Sequence, residues 1–209
     1  DSIPAYKNPK KSVEVRVADL LDRMTLEEKV AQMQDLTFNQ FTADGKLDTL
    51  KMDSVLQGMS YGSIFGARLS VDEMQQNMLI LNRYMADKNR LGIPVIGEAE
   101  SLHGLIHYAT IFPQAIALSS TFNPELVHRV AGTIAKEAKA VGIDQVLSPV
   151  LDLARELRWG RVEETYGEDP YLTSRLGVAF VKGLQGDHPN YLKTVATVKH
   201  FVANNQEND

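Results

Sequence analysis

Cysteine is absent from the 209 residues, which excludes disulfides, thiolate zinc sites and a cysteine nucleophile and leaves the redox compartment open. Long runs of one charge are missing as well. With 22 basic and 27 acidic residues and a net charge of -5, the chain has no basic stripe to neutralise phosphates, so nucleic acid is not an expected partner. No stretch reaches the roughly 18 uninterrupted apolar residues of a membrane-spanning helix, because Gly, Lys or Gln breaks every candidate, and no membrane span is expected. A Gly-rich phosphate turn between strand and helix, common in doubly wound sheets, does not occur either. The chain opens at Asp1 without an initiator Met, which reads as a processed export signal or a trimmed start; periplasmic or extracellular placement is the expectation.

What is present is globular in character. Hydrophobic residues make up 44% and charged residues 23%, enough for one sizeable core or two small ones. Residues 1–11 form a polar, Pro-bearing arm that needs a docking surface to be ordered. Thr25-Leu26-Glu27-Glu28 predicts a capping box opening a helix with Val30 and Met33 turned inward. Ser70-Val71-Asp72-Glu73 repeats the device ahead of Met74, Met78, Leu81 and Met85, whose spacing predicts a long amphipathic helix with Met as core filler. Asn123-Pro124-Glu125 supplies a cap, a first-turn proline and an acid for a helix running to about Val141, with Gly142 ending it. Asp169-Pro170 heads a further helix through Leu176 and Phe180 by the same logic.

Between these helical patterns lie apolar runs of strand length: 62–65, 93–96, 145–151 and 194–201. Strands alternating with helices predict parallel pairing with right-handed crossovers. Polar chemistry follows three of the runs: Glu98 and Glu100, then Asp152 to Arg161, then His200 to Glu207. Such placement is expected at the C-terminal mouth of a (β/α)8 barrel. These strands make about half of a barrel that needs about 250 residues, so residues 12–209 read as the first part of a barrel domain, incomplete in this chain.

The candidate binding groups are Glu100, Arg161, Lys199 and His200. A carboxylate, a guanidinium, an ammonium and an imidazole at one mouth suit a ligand with many donors and acceptors and no charge, which describes a sugar ring. His103, beside Gly104 in a turn, reads as a structural hydrogen-bonder. Trp159 has two open readings, stacking on a sugar face or packing beneath the Arg161 loop. Glu98 reads as solvated or salt-bridged, and His107, His128 and His188 carry no assigned role. Of the acidic cluster Glu163, Glu164, Glu168 and Asp169, Asp169 is explained as a helix cap and Glu164 as a partner for arginine, so neither a metal nor a cofactor is expected.

Several motifs in order carry a resemblance: Ile93-Pro94-Val95, Glu100-Ser101-Leu102-His103-Gly104, Thr110-Ile111-Phe112-Pro113-Gln114, Ser148-Pro149-Val150-Leu151-Asp152, Arg158-Trp159-Gly160-Arg161, Glu164-Thr165-Tyr166-Gly167-Glu168-Asp169-Pro170 and Lys199-His200-Phe201. From about Val13 onward the chain resembles glycoside hydrolase family 3. The resemblance implies an exo-acting, retaining β-glycosidase with a barrel followed by an α/β sandwich, and a carbohydrate substrate as partner. It also implies that Glu100, Arg161, Lys199 and His200 hold hydroxyls of the terminal sugar and that Glu164 orients Arg161. The family's nucleophilic Asp and its acid/base Glu have no counterpart here, so no catalytic residue is expected within the chain.

Substrate signals divide. Glu100 stands where many β-glucosidases of the family have Asp and several xylosidase-like members have Glu, and the added methylene crowds the hydroxymethyl that glucose has and xylose lacks. Asn204-Asn205-Gln206-Glu207 resembles glucosidase members, which favours β-glucosidase with β-xylosidase as the alternative. The Gly-rich, His-bearing loop of the N-acetylglucosaminidase branch is not present. A reading from another class is a non-catalytic sugar-binding fragment.

Overall fold

The computed structural model describes residues 3–43, 46–66, 70–105 and 109–207; His107 lies outside them. The chain divides into two compact units, Asp1–Ile64 with Leu81–Val95, and Phe65–Ile80 with Ile96–Asp209.

The first unit contains α1 (Val13–Arg23), α2 (Leu26–Ala31), β1 (Asp35–Thr37), the antiparallel pair β2 (Thr42–Ala43) and β3 (Lys46–Leu47), α3 (Thr49–Leu56) and the start of β4 (Ser63–Phe65). It also holds the second half of α4 (Val71–Lys88). β1 and β4 are sheet neighbours. The N-terminal arm finds its docking surface here. Tyr6 donates its hydroxyl to the Leu91 carbonyl at 2.9 Å and its backbone N–H to Asp19 at 2.9 Å. The capping box at α2 forms as its sequence predicts, with Thr25 Oγ1 accepting from the Glu28 amide and Glu28 accepting from the Thr25 amide. Glu28 also receives Arg90, whose Nε lies 3.0 Å away, and that guanidinium holds the Glu28 carboxyl below its ordinary range. The inward placement of Val30 and Met33 is not observed: Val30 is 47% and Met33 87% exposed. The helix ends at Ala31, its one buried residue, so Met33 falls in the following turn and the assumed helical face does not extend to it.

The second unit is an α/β layer. It comprises the start of α4, β5 (Ile96–Ala99), α5 (Ala115–Ser119), α6 (Pro124–Ala140), β6 (Gln145–Val146), α7 (Pro170–Gln185) and β7 (Val195–Ala196). β5, β6 and β7 are adjacent and parallel, pairing Glu98 with Gln145, Ala99 with Val146, Gln145 with Val195 and Val146 with Ala196. Beyond the named strands the ladder resumes at a parallel bridge between Val150 and Lys199. The predicted helices form with their predicted caps. Asn123 accepts from the Leu126 amide at 3.0 Å and Asp169 from the Leu172 amide at 2.6 Å, each ahead of a first-turn proline. Gly142 takes φ of +84° just past α6, a conformation a side chain resists. Met74, Met78, Leu81 and Met85 are all buried, as their spacing predicts.

The strands are shorter than the apolar runs and in one case displaced. β5 begins at Ile96 and not at Ile93, because Pro94 has no N–H for a ladder and the Val95 amide donates to Asn82 Oδ1 instead. Glu98 is therefore a strand residue. It is 8% exposed and accepts from Gln145 Nε2 at 3.1 Å, which sets aside the solvated reading of this side chain and leaves the salt-bridged one standing. In the 145–151 run regular strand pairing is limited to Gln145–Val146 and the bridge at Val150; between them Pro149 has no N–H to donate, while the Leu147 amide still reaches the Ala99 carbonyl and the Ser148 carbonyl still accepts from the Thr197 amide. β1 has three residues with one apolar side chain, Leu36, too little pattern to be read beforehand.

Candidate functional site

Parallel strands present their C-terminal ends on one side of the sheet, so residues just past β5 and β7 are delivered to the same edge. Glu100 follows β5 directly. Lys199 is fixed by its backbone, donating its N–H to the Pro149 carbonyl at 3.1 Å and accepting from the Leu151 amide at 2.9 Å. These placements bring together two side chains that are 99 residues apart in sequence: Lys199 Nζ donates to Glu100 Oε1 at 2.8 Å and Oε2 at 2.9 Å. The Lys199 side chain is 12% exposed and that of Glu100 33%, so the pair is sheltered on the lysine side and open to solvent on the carboxylate side.

His200 is held from below. Asp152 Oδ2 accepts from the His200 backbone N–H at 3.1 Å and lies 2.7 Å from its ring Nδ1. The Asp152 side chain is only 3% exposed, that of His200 26%. The Lys199–His200 peptide bond is cis. A cleft of about 430 Å³ opens on this side, lined among others by Asp152, Arg155, Lys199, His200, Asn204 and Asn205.

Arg161 precedes a short 3-10 helix, Val162–Glu164, whose turn folds Glu164 back onto it. The contact is bidentate, Nε to Oε1 at 3.0 Å and the terminal nitrogen to Oε2 at 2.6 Å. Glu207 stands 3.9 Å from the other guanidinium nitrogen. The Glu164 hydrogen bonds hold the Arg161 pKa above its ordinary value, against a smaller opposing effect of burial, and the charges of Glu164, Glu207 and Glu100 add to the rise.

Of the other residues weighed in the sequence, His103 is a structural hydrogen-bonder, its Nδ1 lying 2.7 Å from the Phe112 carbonyl oxygen. Trp159 is 4% exposed, which leaves the packing reading and not the stacking one. His188 accepts from the Asn190 and Tyr191 amides in a surface turn. Among the described residues no group of three or more His, Cys, Asp or Glu is placed to hold a metal ion. Sequence reasoning did not single out Asp152 as the partner of His200 or Glu207 as a second acid beside Arg161. Both lie in polar segments that follow a strand, but no local pattern announces a pairing such as Asp152 with His200, 48 residues apart.

The model of the glycosyl hydrolase family 3 N-terminal domain matches residues 25–209. A β-xylosidase of Formosa agariphila is 36% identical over 206 residues, covering 93% of this chain and 22% of the relative. A periplasmic β-glucosidase of Salmonella typhimurium is 34% identical over 190 residues, covering 90% of this chain and 23% of that protein. Among solved structures, a β-glucosidase of Erythrobacter marinus superposes with a TM-score of 0.86 at 32% identity, over 96% of this chain and 27% of that one. The chain spans 22% and 23% of the two curated relatives named, so what is described is a partial barrel domain. Parallel strands, a charged rim at their C-terminal ends and a family match over most of the sequence agree, and the chain belongs to glycosyl hydrolase family 3, within its N-terminal domain.

Proposed function

We propose that this chain supplies most of the terminal-sugar subsite of a retaining exo-β-glycosidase that releases terminal non-reducing β-D-glucosyl residues. In this reading Glu100, Arg161, Lys199 and His200 bind sugar hydroxyls and Glu164 orients Arg161. The observation that supports it most is the bidentate Lys199–Glu100 contact at 2.8 and 2.9 Å, with the carboxylate a third exposed. A pair that merely supported a barrel would be expected to bury both partners, since an open carboxylate gains little by screened attraction.

Carboxylate and ammonium arranged in this way offer acceptors and donors to neighbouring hydroxyls at once. Retaining hydrolysis further needs a nucleophilic and a proton-donating carboxylate about 5 to 5.5 Å apart across the anomeric bond. Both are assigned to sequence outside these 209 residues. β-Xylosidase is the second reading, favoured by Glu100 in place of Asp and by the β-xylosidase similarity. One methylene changes selectivity by only about 1–3 kcal/mol, and the Asn204 to Glu207 segment favours glucoside. A periplasmic or extracellular setting is proposed on the periplasmic relative; among the described residues no helix is long and apolar enough to cross a membrane. The test is hydrolysis of p-nitrophenyl β-glucoside and β-xyloside by the native full-length protein. Preference for glucoside is expected, preference for xyloside promotes the second reading, and turnover of neither overturns both in favour of a non-catalytic sugar-binding fragment.

A further inference from the structure

We infer that Asp152 is a positioning residue that sets the tautomer and orientation of His200, so that the imidazole meets its ligand as a hydrogen-bond acceptor. One oxygen, Oδ2, serves both the His200 backbone N–H at 3.1 Å and ring Nδ1 at 2.7 Å. The Asp152 side chain is 3% exposed, so water does not compete for that oxygen. A carboxylate offers acceptors only, so the proton between the two groups sits on Nδ1. In the neutral ring the remaining nitrogen, Nε2, is then a bare lone pair. The ring is 26% exposed and lines the cleft of about 430 Å³, which leaves that lone pair for a hydroxyl donor.

The rim is thereby divided by role. Lys199 and Arg161 can only donate, Glu100 can only accept, and the neutral His200 ring, which could do either, is committed to accepting. Two points of attachment, one on the main chain and one on the ring, fix the imidazole plane as well as its tautomer. The consequence for ligand binding rests on the reading of His200 as a sugar ligand; the tautomer does not.

The test is heteronuclear NMR of the histidine ring nitrogens in the native full-length protein, with His200 assigned by its loss in His200→Gln. The wild type is expected to show the Nδ1–H tautomer. Asp152→Asn, whose amide oxygen can still accept from both N–H groups, is expected to keep it. Asp152→Ala is expected to shift it toward the Nε2–H form that predominates in water. D-glucose binding measured by calorimetry should stay within about threefold in Asp152→Asn and weaken by about tenfold or more in Asp152→Ala, the loss of the hydrogen bond accepted by an oriented His200 ring. An Nε2–H tautomer in the wild type, or Asp152→Asn behaving like Asp152→Ala in both measurements, overturns the assignment. An Nδ1–H tautomer in a wild type that binds neither D-glucose nor D-xylose upholds the role of Asp152 and overturns the sugar-subsite reading instead.

Discussion

Replacing Lys199 with Met keeps the aliphatic stem and removes the ammonium, which isolates what its charge does. Lys199 Nζ lies 2.8 and 2.9 Å from the two Glu100 oxygens, with side chains 12% and 33% exposed. A solvent-exposed pair contributes about 0–1 kcal/mol, whereas breaking a fully buried one costs about 3–5 kcal/mol. Half-burial places the stability loss between these limits, at about 1–3 kcal/mol, because water can rehydrate the open face of Glu100. The effect on turnover should be larger. The ammonium has an N–H beyond those aimed at Glu100, available to a sugar hydroxyl, and a hydrogen bond from a charged donor contributes about 1.5–3 kcal/mol. Glu100 also loses its anchor, weakening a second contact by a similar amount. Together these predict a fall in kcat/KM on the order of 10²–10⁴-fold for p-nitrophenyl β-glucoside in the native protein, with the far-ultraviolet circular dichroism spectrum unchanged. A kcat/KM within threefold of the wild type, with the fold intact, would refute the assignment of Lys199.

Glu100→Asp removes one methylene from the carboxylate and is expected to raise the glucoside-to-xyloside kcat/KM ratio by about 10-fold; an unmoved ratio refutes the steric reading. Gly183 and Gly132 should respond in opposite directions to Ala. A Cβ at Gly183 would lie 2.4 Å from the His128 carbonyl oxygen and 2.7 Å from Ala131 Cβ, so Gly183→Ala should lower the urea stability by about 1–3 kcal/mol. At Gly132 the nearest atom would be 3.7 Å away, so Gly132→Ala should be neutral or gain up to about 1 kcal/mol from helix propensity. The Arg90 hydrogen bonds hold the Glu28 carboxyl below its ordinary value of 4.5. Its stabilisation is therefore complete above that value and lost as pH falls through the depressed folded-state value. The stability difference between wild type and Glu28→Gln should accordingly shrink on acidification below pH 4.5.

How much could be read beforehand follows from the range of the interaction concerned. Caps are local, and Thr25, Ser70, Asn123 and Asp169 each mark a helix start where the structure places one. Spacing along a long helix is also local, which is why Met74 to Met85 are buried as expected. Strand limits are decided by partners on neighbouring strands and by which amides are free. The displacement of β5 past Pro94, and the three-residue β1, therefore escaped the apolar pattern. Met33 misled because a helical face was extended beyond Ala31, where the helix stops, whereas Val30 lies within the helix on a side that stays half-exposed.

Residue types were legible for Glu100, Arg161, Lys199 and His200, and a position just past a strand for Glu100, Lys199 and His200, whereas Arg161 stands ahead of the 3-10 helix Val162–Glu164. Their pairings were legible only where short-range, as with Glu164 three residues after Arg161. The Asp152–His200 contact joins residues 48 apart, and no local pattern announces it.

A crystal structure of the native full-length protein with D-glucose would show whether these four side chains grip one sugar ring. Glucose is expected at the C-terminal ends of β5 and β7, within hydrogen-bond distance of Glu100, Arg161, Lys199 and His200, with the Lys199–Glu100 and His200–Asp152 contacts retained. Glucose bound elsewhere, with the four side chains engaged solely with one another, would contradict it.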